Sequence, residues 1–139
     1  MNADKLETYI RQMDVPHEPL PEEGSWVLAP QGLHQSRIIV KISDPIVLFT
    51  TPIFKLSEAT QDREHLFRRL LELNEDLLHC AYGLDGDQIL LSGAHPLENL
   101  DYNEFQAMID DMSMGLDRHL DQLAPWCAPE GPTSAQEEA

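Results

Sequence analysis

Basic residues are scarce in this chain: 9 Lys and Arg stand against 25 Asp and Glu, a formal charge of -16. Such a field repels nucleic-acid phosphates and anionic lipid headgroups, so neither nucleic acid nor a membrane is an expected partner. A basic or amphipathic polypeptide segment is the better electrostatic match. Cysteine is nearly absent as well. Cys80 reads as part of a strand and Cys127 as part of a tail, so no structural disulfide is implied. No run approaches the ~20 apolar residues of a membrane helix. The opening Met1-Asn2-Ala3-Asp4-Lys5 has neither the basic region nor the apolar region of a secretion signal. The cytoplasm is therefore the expected compartment. With 139 residues, 42% of them hydrophobic, the chain suits one domain with an ordinary core.

Motifs that carry chemistry are missing too. His17, His34, His65, His79, His95 and His119 show no HExxH, HxxxH or CxxC spacing, so no metal site is expected. Asp85-Gly86-Asp87 lacks the remaining ligands of a calcium loop and reads as a hairpin turn. There is no Gly-x-Ser-x-Gly elbow, no phosphate loop and no GxGxxG. Cys80, expected beside Tyr82 in a buried setting, is inert unless a base approaches it. These absences predict no catalytic residue, no cofactor and no enzyme.

What is present is an orderly series of elements. Residues 4–13 carry Leu6, Tyr9, Ile10 and Met13 at helical spacing, and Val15-Pro16 ends that helix. Residues 17–24, with Pro19 and Pro21, read as an irregular connector. Trp26-Val27-Leu28, residues 37–42 and residues 46–51 (extended past Pro52 by Ile53 and Phe54) read as strands, with Ser43-Asp44-Pro45 as a turn. The longer two are nearly continuous apolar runs, which predicts cover on both faces by helices or a second subunit. Residues 62–78 form a helix with a wide stripe of Leu66, Phe67, Leu70, Leu71, Leu73, Leu77 and Leu78. Residues 79–84 and 88–92 flank the hairpin turn. Asp101 and Glu104 resemble a capping box opening a last helix with Phe105, Met108, Ile109, Met112, Leu116, Leu120 and Leu123. The order is α-β-β-β-α-β-β-α, a single α/β domain over residues 1–123. Residues 124–139, rich in Pro, Ser, Gln and Glu, read as an acidic disordered tail.

Two long helices and five short strands offer more apolar surface than so small a chain buries alone, which favours a homodimer. Met108 and Met112 fit the core, whereas Met114 falls off the stripe and is the better exposed contact. Candidate protein-binding residues are Trp26, Ile46, Leu48, Phe54 and Met114. Sheet-edge and apolar-patch contacts are the expected mode.

The run Leu70-Leu71-Glu72-Leu73-Asn74, then Ala81-Tyr82-Gly83-Leu84-Asp85, then Ile89-Leu90-Leu91-Ser92, then Leu97-Glu98-Asn99-Leu100-Asp101 before the last helix resembles the type III secretion chaperone-like superfamily. That group includes the Tir chaperone (CesT) family and the YbjN-like proteins. The resemblance spans residues 4–123. It implies an α+β fold with a twisted antiparallel sheet, packed helices and a homodimer. It further implies a chaperone that holds a partner's segment in extended form without ATP. A YbjN-like regulator of bacterial stress, motility or sensory responses is the alternative. The Pro-rich acidic tail is no part of the shared pattern.

Overall fold

The computed structural model describes residues 2–30 and 36–127. Helix α1 (Asn2–Met13) leads into β1 (His17–Pro19), β2 (Ser25–Leu28), β3 (Ile38–Ser43) and β4 (Ile46–Lys55). Helix α2 (Arg63–Asn74) precedes β5 (Ala81–Asp85) and β6 (Gln88–Pro96), and α3 (Tyr102–Cys127) closes the described chain. The strands form one sheet in the order β1-β2-β3-β4-β6-β5, every neighbouring pair antiparallel. The expected α+β architecture is what the chain adopts.

Local chemistry explains most of these boundaries. Glu104 N–H donates to Asp101 Oδ1 at 2.8 Å while Asp101 N–H donates to Glu104 Oε1 at 3.1 Å, a complete capping box at the start of α3. Gly86, at φ 61, makes the two-residue turn between Asp85 and Gln88 that the Asp-Gly pair announces. Asp14 takes a φ of 59 just beyond α1 and returns its N–H to Arg11 O at 3.1 Å, the left-handed stop that Asp tolerates.

The core lies between one face of the sheet and the three helices. Val47, Phe49 and Thr51 alternate inward along β4, and Ile38, Val40, Ile89 and Leu91 join them from the neighbouring strands. α3 lies over this face. Phe105 stacks on Phe49 (centroids 5.7 Å) and on Tyr9 of α1 (5.8 Å), while Gly115 meets Leu77 beyond α2. Met108 and Met112 are core residues, as their position on the stripe predicts.

Four expectations change. His17–Pro19 is not irregular: it pairs with Trp26–Leu28 as β1, a strand too short and proline-rich to show a period. The second helix stops at Asn74, because the N–H groups of Glu75, Asp76 and Leu77 bond three residues back and tighten the chain into a turn. Its stripe is also narrower: Leu66, Leu70, Leu73 and Leu77 are buried, but Leu71 and Leu78 are exposed. α3 runs four residues beyond Leu123, and Trp126 and Cys127 pack against the core. Residues 128–139 of the expected tail lie outside the described residues.

β6 passes unusually close under α3. A Cβ built on Gly93 would stand 2.7 Å from the His79 carbonyl and 2.8 Å from Met108 Sδ. Gly93→Ala should therefore lower stability by about 1–3 kcal/mol in urea unfolding, the usual cost of overpacking. Gly83→Ala, whose Cβ would meet only Leu90 at 3.8 Å, should fall within about 1 kcal/mol of the parent.

Candidate functional site

All the described helices pack into the core on one side of the sheet, so none of them covers its opposite face. Strand alternation decides what that face presents. Register sets Val27 opposite Ile39, Leu48 opposite both Lys41 and Ala94, and Pro52 opposite Leu90. With Ile46 at the end of β4, these residues form an apolar field across β2, β3, β4 and β6. Most of them are half-buried; Pro52 and Ala94 are exposed. Lys41 on the same face is held by Glu22 at 3.1 Å. The continuous apolar runs of β3 and β4 are thus explained: both faces carry apolar residues, and among the described residues helices cover one of them.

The sheet edges offer much less. At the β5 edge the closing pair Asp85–Gln88 of the hairpin turns the backbone groups of Tyr82 and Leu84 outward. The Asn74 carboxamide takes both of the Tyr82 groups: Tyr82 N–H donates to Oδ1 at 2.7 Å and Tyr82 C=O accepts from Nδ2 at 3.4 Å. That leaves one residue's pair of groups for an added strand. At the other edge, β1 is three residues long and ends in Pro19, which has no N–H. Of the two expected contact surfaces, the edges thus present fewer free groups than the apolar face.

Polar contacts fix the α2–β5 connection to α3. Asp111 accepts the N–H groups of Leu78 (3.0 Å) and His79 (2.7 Å) and the Cys80 thiol (3.4 Å). His119, 1% exposed, donates Nε2–H to Asp76 at 2.9 Å and in its neutral form accepts the Tyr82 hydroxyl at Nδ1, also 2.9 Å away. Arg118 Nε adds a second bond to Asp76 at 3.3 Å. The His119 hydrogen bond is the main force holding the Asp76 carboxyl below its usual range, with Arg118 assisting against partial desolvation.

An Asp–His–Tyr chain can resemble catalytic machinery, but its reactive end is silenced. Burial raises the Tyr82 hydroxyl well above its ordinary range. Burial, with Asp111 beside it, pushes the Cys80 thiol up to about 12, and burial alone takes Cys127 to about 11. Neither thiol is a ready nucleophile at neutral pH. Among the described residues no three His, Cys, Asp or Glu converge as metal ligands, and no helix is long and apolar enough to cross a membrane.

The five candidate contact residues separate. Ile46 and Leu48 stand together on the helix-free face. Trp26 is corrected from contact candidate to core anchor: only 6% exposed, it faces inward opposite Val40. Phe54 follows the β4 bulge, packs partly on the core and lines a crevice with Trp126. Met114 is 57% exposed on α3, away from Ile46 and Leu48. Val27, Ile39 and Leu90 complete the face and escaped the sequence reading. Only strand register reveals that they share a side with Leu48.

The CesT_Tir_1 family model matches residues 1–128, meeting the expected superfamily. The chain belongs to the CesT_Tir_1 family. No curated protein matches it in sequence. Among solved structures, YbjN from E. coli superposes on this CesT_Tir_1 chain with a TM-score of 0.64 at 13% identity, covering 87% of this chain and 92% of that one. The heterodimeric ExoU–SpcU complex from the type III secretion system of Pseudomonas aeruginosa gives 0.63 at 16% identity, covering 89% and 98%. The HopA1–SchA chaperone–effector complex gives 0.54 at 12% identity, covering 88% and 90%. At such identities the likeness is one of fold.

The depressed Asp76 carboxyl makes the clamp of this CesT_Tir_1 chain pH-dependent. Its folded pKa lies below the ordinary 3.8, so its contribution is complete above that value and is lost as pH falls through the lower, folded one. Asp76→Asn should lower the urea midpoint at neutral pH and flatten its decline toward about pH 3. An unchanged decline would show that Asp76 does not contribute to it.

Proposed function

We propose that this chain is a non-catalytic protein-binding domain, chaperone-like in the manner of type III secretion chaperones, that holds a segment of another polypeptide. The carrying observation is the apolar face of the sheet opposite the described helices, where Ile46, Leu48 and Leu90 stay half-buried and Val27 and Ile39 continue the surface toward the end of α3. A face of that kind marks a binding surface. Membership of the CesT_Tir_1 family and likeness in fold to a chaperone–effector complex and to a heterodimer of a type III secretion system support the reading. The formal charge of -16 favours a segment that pairs apolar residues with basic ones. The cytoplasm is the matching compartment, and no cofactor is required.

A homodimer accompanies this reading. Three of the four exposed large apolar residues, Leu71, Leu78 and Leu84, lie on the stretch from α2 to β5, and Leu78 is 85% exposed. That patch is the proposed self-association surface, and it leaves the helix-free face available. The likeness to YbjN favours a second reading, a YbjN-like regulator acting through protein contacts. A deletion strain with stress or motility defects and intact secretion would select it.

Affinity capture from the native host should recover one predominant polypeptide with the parent chain. Leu48→Glu should reduce that recovery by about tenfold or more while circular dichroism stays unchanged, whereas Met114→Glu should leave it intact. Equal recovery by the two variants would remove the sheet face as the docking surface. In sedimentation velocity the parent should run as a dimer and Leu78→Glu as a monomer. A monomeric parent would dispose of the dimer.

A further inference from the structure

The outward N–H and C=O groups of an edge strand accept another strand unless something occupies them. On the β5 edge those groups belong to Tyr82 and Leu84, because the hairpin closes on the Asp85–Gln88 pair. Asn74, the last residue of α2, holds both Tyr82 groups in its side-chain amide, at 2.7 Å and 3.4 Å. An amide that donates to and accepts from one residue reproduces what a neighbouring strand would offer there. The Leu84 groups have no such occupant among the described residues, and the Leu84 side chain is 52% exposed.

The sequence of β5 suits pairing with a second copy of itself. Set antiparallel about Gly83, two β5 edges bring Tyr82 of each opposite Leu84 of the other, as the bonded pairs of the ladder. Gly83 meets its counterpart on the axis with no side chain to collide, and Asp85 falls opposite Ala81, not another acid. Centring on Leu84 instead keeps a single bonded pair and sets Tyr82 against Gly86 of the turn. Every backbone bond of the Gly83-centred register uses a Tyr82 group, and Asn74 already holds them. The amide belongs to the same chain, so its effective concentration exceeds that of a second copy in dilute solution.

Given the α2–β5 self-association surface proposed above, we propose that the Asn74 carboxamide is a surrogate strand that closes the β5 edge to a second copy. Copies then meet through the side chains of Leu71, Leu78 and Leu84 and do not join their sheets. With the carboxamide removed, two β5 edges pair about Gly83 into one continuous sheet.

Disulfide trapping at position 83 of the full chain tests this. Facing residues of a non-bonded antiparallel pair stand about 4.5 Å apart between Cα atoms, within the span of a disulfide. Gly83→Cys alone should give little cross-link between the two position-83 thiols on mild oxidation, with the site mapped by mass spectrometry. Gly83→Cys combined with Asn74→Ala should give about tenfold more, as the freed backbone pairs imply. Amide hydrogen exchange in Leu78→Glu reads the same gate without any dimer. There the Tyr82 N–H should exchange about tenfold or more slowly than the Leu84 N–H, and adding Asn74→Ala should erase the difference. Equal cross-linking with and without Asn74, no cross-link in a folded Asn74→Ala chain, or equal exchange at Tyr82 and Leu84 in Leu78→Glu would each overturn the gate. A parent that sediments as a monomer removes the dimer alone and leaves the exchange result to decide.

Discussion

The contact of α3 with the middle of the sheet sets where every other part of the molecule can lie. Gly93 lets β6 run directly under Met108, and Phe105 wedges between Phe49 and Tyr9. Two side chains on one turn of helix thereby join α1, β4 and β6. Farther along, Asp111 and His119 reach sideways to the α2–β5 connection, so the same helix fixes β5 through Cys80 and Tyr82. A helix used in this way lies on one face of the sheet and leaves the other to something else.

That asymmetry links the fold to its proposed work. An antiparallel sheet with one bare face ordinarily alternates apolar and polar side chains. Here the bare side of β4 offers Ile46 and Leu48, flanked by Ile39 and Leu90. Exposing such a surface costs solubility, and the excess of acid on the chain offsets the risk by opposing non-specific aggregation. The blunted edges act in the same direction. Asn74 occupies the backbone groups of Tyr82, and Pro19 ends β1 after three residues, so strand-by-strand aggregation has little to template on.

Local features were legible in the sequence because their causes are local. The Asp101–Glu104 box, the Asp85-Gly86 turn and the burial of Met108 and Met112 beside an exposed Met114 follow from spacings of a few residues. Features set by distant partners were not. β1 exists because His17–Pro19 finds β2, and nothing within those three residues announces a strand. Trp26 looks the same in sequence whether it anchors a core or an interface; its pairing with Val40 decides. The continuous apolar runs correctly signalled that both faces of β3 and β4 carry apolar residues, but a single chain holds no record of whether helix or partner covers the second. Asp76, Tyr82 and His119 meet through a connection that folds back on α3.

Hydroxyl-radical footprinting of the chain, free and then bound to the polypeptide it retains in its host, tests the central claim most directly. The account predicts that Ile39, Ile46, Leu48 and Leu90 lose reactivity together on binding, while Tyr9 and Tyr102 on the helical side keep theirs. Protection of Tyr9 and Tyr102, with the four sheet residues unchanged, would contradict it.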